Sequence, residues 1–192
     1  MVFRRSLCGL FAALAACRAG EARVQADRRP NPAAPALRLA LPGGSVFDLK
    51  DQQGKVVLLF FGYTHCPDIC PTTLVDFVAV KRRLAERADR VRFVFVSVDP
   101  KRDTPDAAQR YVQAFDHSFV GLSGDSIQLS LIQRGFHVAS YVERDSTGEY
   151  SVAHSASVFL IGTDGRIHDT LRFGEARADE MFAAVDRALK GI

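Results

Sequence analysis

The sequence predicts an α/β fold: a mixed sheet with helices on both faces, preceded by an N-terminal β-hairpin. Three observations carry that prediction. Two apolar runs, residues 56–61 and 91–98, have the length and the β-branched and aromatic content of buried strands. Each is followed by helix-start chemistry, Pro71 after the first and Thr104-Pro105-Asp106 after the second. This strand–helix–strand–helix order then gives way to a hairpin about Thr163-Asp164-Gly165 and a closing amphipathic helix. The hairpin makes the sheet mixed rather than purely parallel.

The chain has 192 residues, 47% of them apolar and 24% charged, which fits one globular domain with an N-terminal appendage. No window reaches the roughly 18 apolar residues of a membrane span. A domain of this size folds without staples, so its four cysteines are not a stability framework. Arg4-Arg5 followed by the apolar residues 7–14 has the build of an export signal. It ends in Leu14-Ala15-Ala16-Cys17, which resembles a bacterial lipobox. That resemblance implies cleavage before Cys17 and a lipid on Cys17; cleavage by the general signal peptidase and an uncleaved anchor are the alternatives. The expected organisation is a lipoprotein-type signal peptide over 1–16, a lipidated flexible tether over 17–36 and the folded domain over 37–192. Residues 18–35, rich in Ala, Arg, Pro and Asn, have tether composition. The formal charge of +3 falls to +1 once Arg4 and Arg5 leave, which gives no footing for nucleic acid.

Within the domain, Leu37, Leu39 and Leu41 alternate ahead of Pro42-Gly43-Gly44-Ser45, and residues 46–49 return as the second strand of a hairpin. After the central strand, residues 71–88 place Leu74, Phe77, Val78, Leu84 and Ala85 on or beside one helical face. Lys81-Arg82-Arg83 and Glu86-Arg87 read as a solvated face. A helix from Thr104 to about Phe115, a loop over 121–124 and a helix capped by Asp125 or Ser126 follow. Residues 138–142 and 150–152 flank Asp145-Ser146-Thr147-Gly148 as a small hairpin, and 157–161 pairs with 166–171. The last helix, 176–190, turns Met181, Phe182, Val185 and Leu189 inward.

The central strand delivers Gly62-Tyr63-Thr64-His65-Cys66-Pro67-Asp68-Ile69-Cys70-Pro71, two cysteines four apart and each followed by proline. The spacing predicts a helix start at Cys70/Pro71, because a proline at the first helical position forfeits only an orphan N–H. A thiol at a helix N-terminus has its anion favoured by the dipole, so the pair is expected to be acidic and reactive. Strand, dithiol loop and helix form the active corner of a thioredoxin-like fold. Among the five histidines, His117, His137 and His168 read as surface or packing residues. His65 is expected to point away from the sulfurs. His154 lies just before the strand 157–161, whose leading loop faces the dithiol in thioredoxin-like folds. Two thiolates and one imidazole are a soft, low-coordinate set suited to Cu(I). Zinc fits less well because it wants four closed ligands, although His65 leaves that choice open.

Taken with Ser97-Val98-Asp99-Pro100-Lys101-Arg102-Asp103-Thr104-Pro105, Phe119-Val120-Gly121-Leu122-Ser123-Gly124 and Val152-Ala153-His154-Ser155, this motif resembles the Sco/SenC family. These are thioredoxin-like copper-binding proteins that help assemble the dinuclear copper centre of cytochrome c oxidase. The resemblance runs from about Leu37 to the C-terminal helix. It implies Cys66, Cys70 and His154 as copper ligands, with Cys66 and Cys70 also forming a reversible disulfide. Asp99 matches a family aspartate, read equally as a neighbour of the site and as a strand-end cap. Copper is expected as Cu(I), with Cu(II) left open. The implied partners are the oxidase subunit carrying that centre, other periplasmic copper or thiol-redox proteins, and the membrane through the lipid. The implied location is the periplasmic side of a bacterial envelope, and the implied role is a metallochaperone with thiol–disulfide reductase activity left open. Ala153 and His117 depart from common family residues, but neither touches the ligand set.

The alternative is a membrane-tethered thiol–disulfide oxidoreductase acting on exported cuproprotein or cytochrome cysteines. Such enzymes resemble Cys-x-x-Cys with a proline at the start of the facing strand. Here the spacing is one residue wider, and His154-Ser155-Ala156-Ser157-Val158 has no proline. A peroxiredoxin fits less well, because its peroxidatic cysteine usually has no second cysteine so near.

Overall fold

The computed structural model describes residues 30–144, 146–172 and 177–191. The expected signal peptide, Cys17 and most of the tether lie outside the described residues. Strands β1 (Arg38–Ala40) and β2 (Val46–Asp48) form the N-terminal hairpin, and β3 (Val56–Gly62) is the central strand. Then follow α1 (Ile69–Leu84), β4 (Val91–Ser97), α2 (Pro105–Gln113), β5 (Val120–Leu122) and α3 (Ser126–Gly135). The chain closes with β6 (Ser140–Arg144), β7 (Tyr150–His154), β8 (Ser157–Ile161), β9 (Ile167–Arg172) and α4 (Ala178–Lys190).

The main sheet runs β5-β4-β3-β8-β9. β3, β4 and β5 are parallel, whereas β8 and β9 are antiparallel to their neighbours. All seven residues of β3 are buried, as expected for a strand covered on both faces. Alternation sends Phe60, Phe93 and Phe95 to one face, where Phe77 of α1 and Tyr111 of α2 pack against them. Phe61 and Phe159 point to the other face and meet Phe136 at the end of α3. The protein is thus a thioredoxin-like mixed sheet sandwiched between helices.

Residues 31–34, within the stretch read as tether, lie along the β8–β9 turn. Ala34 N–H donates to Gly165 O, Ile167 N–H to Pro32 O, and the Arg166 guanidinium to Asn31 O.

Three local expectations need correction. α1 starts at Ile69, so Pro71 is its third residue, not its first. The first four helical N–H groups all lack intrahelical partners, so proline is tolerated there as well. α1 also ends early, at Leu84, where Ala85 takes a positive φ of 51° and the chain tightens into a 3₁₀ turn over Ala85–Arg90. The expected loop at 121–124 begins inside β5. Gly121 is a strand residue because α2 presses on it: an added Cβ would collide with the Ala108 carbonyl. The basic residues over 81–87 lie on a largely exposed face, as expected, and form surface ion pairs there. Lys81 pairs with Asp116, while Arg83 and Arg87 pair with Asp179 and Asp186 of α4.

Candidate metal centre

The C-terminal end of β3 sets the site. Gly62 precedes the turn, and Tyr63 O accepts the Cys66 N–H at 3.2 Å, so Cys66 sits on a tight bend above the first turn of α1. Cys66 is half-buried and Cys70 fully buried, and both are free thiols. Gly62 makes room for Cys70: a Cβ there would lie 2.7 Å from its sulfur. The bend is pinned from below by Asp103, whose buried carboxylate accepts from Thr64 N–H at 2.9 Å, Thr64 Oγ1 at 2.6 Å and Ser97 Oγ at 2.6 Å. Three hydrogen bonds to one desolvated carboxylate hold the dithiol loop to the end of β4.

His154 arrives from the other side, as the last residue of β7. Its Nε2 is 3.8 Å from Cys70 Sγ, and its Nδ1 lies 3.2 Å from Ser155 O. A carbonyl only accepts, so Nδ1 carries the proton and Nε2 presents its lone pair to the sulfurs. The Phe60 and Tyr63 rings meet the imidazole edge-on at centroid distances of 6.3 and 5.9 Å. The two Sγ atoms and a His154 ring nitrogen all lie within 4.8 Å of one another, the only such group of three or more ligand-bearing side chains among the described residues. A trigonal ion with bonds of about 2.2 Å needs its ligand atoms about 3.8 Å apart, so the set fits a three-coordinate soft metal.

The thiols differ sharply in acidity. The hydrogen bond from the Cys70 thiol holds Cys66 down to about 3, against the effect of burial, and the N–H groups of Asp68 and Cys70 add to this. Cys70 is pushed up by the same bond and by burial. The first proton therefore leaves the pair easily and the second is retained. Cys66 is the outer thiolate and Cys70 the inner thiol.

The other sequence candidates are placed as follows. His65 is exposed, with Nδ1 3.0 Å from Thr64 Oγ1 and 3.8 Å from Asp103, and it does not join the ligand group. The fourth ligand that zinc would want is therefore missing from the described group. His168 pairs with Asp164 at 2.9 Å, on the far side of the β8–β9 turn. Asp99 is buried and is not in the ligand group. Its carboxylate accepts from Arg102 Nε at 2.5 Å and from Tyr150 OH at 3.0 and 3.2 Å, while its carbonyl accepts from Asp103 N–H. Arg102 and Asp103 stand within the 97–105 segment that carries the family resemblance, and Tyr150 stands outside every quoted motif, but the sequence assigns none of the three a role. Their importance comes from what the fold stacks beside them.

The sequence model of the SCO1/SenC family matches residues 26–190. The chain belongs to the SCO1/SenC family. A mitochondrial SCO2 homolog from Bos taurus is 37% identical over 185 residues, covering 90% of this chain and 67% of that protein. Among solved structures, apo Sco1 from Thermus thermophilus superimposes with a TM-score of 0.74 at 38% identity, covering 83% of this chain and 94% of that one. Bradyrhizobium japonicum ScoI with copper bound gives a TM-score of 0.73 at 34% identity, covering 82% and 99%. Family membership and the described Cys–Cys–His group thus rest on independent observations.

Proposed function

We propose that this SCO1/SenC protein binds one Cu(I) ion through Cys66, Cys70 and His154 and passes it to an exported acceptor, the dinuclear copper centre of cytochrome c oxidase. The observation that carries the reading is the convergence of two sulfurs and an imidazole whose Nε2 is left free by the Nδ1–Ser155 bond. A copper-bound relative of 34% identity supports the choice of metal. Cys66, outermost and ionised, is the first ligand an incoming ion meets; Cys70 must give up its retained proton as the ion seats. Copper is cargo, and a three-ligand site suits a carrier because it holds the ion yet leaves a side open to a competing ligand. The Cys17 lipid would tether the domain to the periplasmic face of a bacterial membrane, with the residues ahead of 31 as the leash.

The asymmetry of the thiols also favours a second reading, reduction of an acceptor disulfide. The Cys66 thiolate would attack one acceptor sulfur and release the other as a thiolate. Cys70 would then displace the mixed disulfide, leaving a Cys66–Cys70 disulfide and two reduced acceptor thiols. Two electrons pass to the acceptor, and its two leaving thiolates take up one proton from Cys70 and one from solvent. The two readings are compatible, since acceptor thiols must be reduced before copper enters.

A competition titration of the reduced protein with Cu(I) and a chromophoric chelator separates them. One equivalent is expected, with affinity falling at least about tenfold in His154→Ala. Unchanged affinity in that variant, together with rapid reduction of insulin disulfides, would favour the redox reading.

A further inference from the structure

The hairpin that supplies His154 is not part of the main sheet. β6 and β7 pair only with each other, so no ladder hydrogen bonds fix them to the five-stranded body. Something else must set the distance from His154 to the sulfurs, and a metal site tolerates errors of only about 0.5 Å. Alternation along β7 puts Tyr150, Val152 and His154 on one face. Val152 is buried, and His154 stands at the dithiol end. Tyr150 lies at the other end of the strand, about 13 Å away at roughly 3.3 Å per residue.

At Tyr150 the hairpin meets the guanidinium of Arg102, while Arg144 of β6 lies farther off, 5.6 Å from the same ring's centroid. Arg102 Nε donates to Asp99 at the end of β4, and Arg102 Nη1 donates to Tyr150 O at 3.0 Å. The guanidinium lies over the Tyr150 ring, 3.7 Å from its centroid, and 5.6 Å from the centroid of the Tyr63 ring. Tyr63 in turn meets the His154 ring edge-on and accepts the Cys66 N–H through its carbonyl. The Tyr150 hydroxyl closes the circuit on Asp99. Arg102 Nη2 is buried without a hydrogen-bond partner among the described residues, so this nitrogen lies inside the joint, while the side chain as a whole is 22% exposed. One side chain therefore bonds Asp99 just past β4 and the histidine-bearing hairpin, and faces Tyr63, the residue that follows β3 on the way to the dithiol.

We infer that Arg102 is a positioning residue that brackets the β6–β7 hairpin to β4 and Tyr63 and thereby sets His154 on the dithiol. The inference rests on the copper reading of the site. The planar guanidinium is suited to the work because its rigid fork bonds Asp99 and Tyr150 O in one plane while its face lies over the Tyr150 ring. A lysine reproduces the charge and has donors of its own, but as a point charge on a flexible stem it cannot hold both bonds in that fixed fork with a flat face on the ring. Tyr150 takes part through its ring and carbonyl, and Asp99 through its carboxylate.

The test uses Cu(I) as the probe and compares the wild-type chain with Arg102→Leu, Arg102→Lys, Tyr150→Ala, Tyr150→Phe and His154→Ala. Copper K-edge X-ray absorption reports whether a nitrogen ligand remains, and amide hydrogen exchange of residues 140–154 in the metal-free protein reports whether the hairpin is held. Both Arg102 variants are expected to lose the nitrogen contribution, to bind Cu(I) at least about tenfold more weakly, as His154→Ala does, and to exchange faster in the hairpin. Tyr150→Ala, which keeps the backbone carbonyl but loses the ring, is expected to follow them, with Tyr150→Phe restoring the nitrogen ligand because the ring under the guanidinium remains. If Arg102→Leu does not fold, Arg102→Lys and the Tyr150 pair carry the same comparison. Wild-type coordination and hairpin protection in Arg102→Lys would overturn the bracket, since charge alone would then suffice. Failure of the wild-type chain to take up Cu(I) would overturn the copper reading instead.

Discussion

Adding a single methyl group at Gly62 puts a direct strain on the inner sulfur. A Cβ built there would lie 2.7 Å from Cys70 Sγ, 2.8 Å from Phe95 Cε2 and 3.0 Å from Phe60 Cε1, where ordinary contact begins near 3.4 Å. To relieve the first contact alone, the sulfur must retreat by about 0.7 Å, beyond the roughly 0.5 Å that a preorganised site tolerates. It has little room to do so, because Cys70, Phe60 and Phe95 are all at most 1% exposed. Overpacking of this kind costs about 1–3 kcal/mol. Gly62→Ala is therefore expected to lose that much stability in guanidinium unfolding of the reduced protein. Cu(I) affinity should fall on the order of tenfold in the chelator competition assay. A variant within about 0.5 kcal/mol of wild type, with unchanged copper affinity, would refute the claim that Gly62 exists to seat Cys70.

Three further outcomes are expected. Because Cys66 is held to about 3 by its bond from Cys70, its alkylation by iodoacetamide should stay nearly level between pH 7 and pH 5; a tenfold fall per pH unit would mean an ordinary thiol near 8.5. Copper uptake should run the other way and weaken as pH falls, since the retained Cys70 proton must leave for the metal to bind. At the other end of the chain, Cys17→Ser is expected to shift the protein from the membrane to the soluble fraction, and continued membrane retention would point to an uncleaved segment as the anchor.

The parts of the fold that were legible in the sequence are those whose signals are local. The runs at 56–61 and 91–98 are buried on both faces, so their apolar content does not alternate and stands out. Thr104 accepts from Ala107 N–H and Asp125 forms a full capping box with Gln128, the chemistry their positions suggested. β5 was not legible because it is three residues long and centred on Gly121, a residue that reads as loop until α2 is laid across it. The early end of α1 was hidden for a similar reason: Ala85 is a good helix former, and no glycine or proline marks the break. At the site, Cys66 and Cys70 announce themselves by spacing. His154 becomes a partner of Cys70 only through the position of β7, 84 residues away. Arg102 and Asp103 belong to the recognised 97–105 segment and Tyr150 to none, but no local pattern states their roles; they matter because the fold buries a carboxylate under one loop and packs a guanidinium against one hairpin.

The central claim is that a single Cu(I) ion is held by two sulfurs and one nitrogen, drawn from Cys66, Cys70 and His154. Copper K-edge X-ray absorption of the reduced wild-type protein loaded with one equivalent of Cu(I) tests it most directly. The expected result is a three-coordinate first shell of two sulfurs and one nitrogen, collapsing to sulfur-only coordination in His154→Ala. A wild-type shell of two sulfurs alone, unaltered by the loss of His154, would contradict the account.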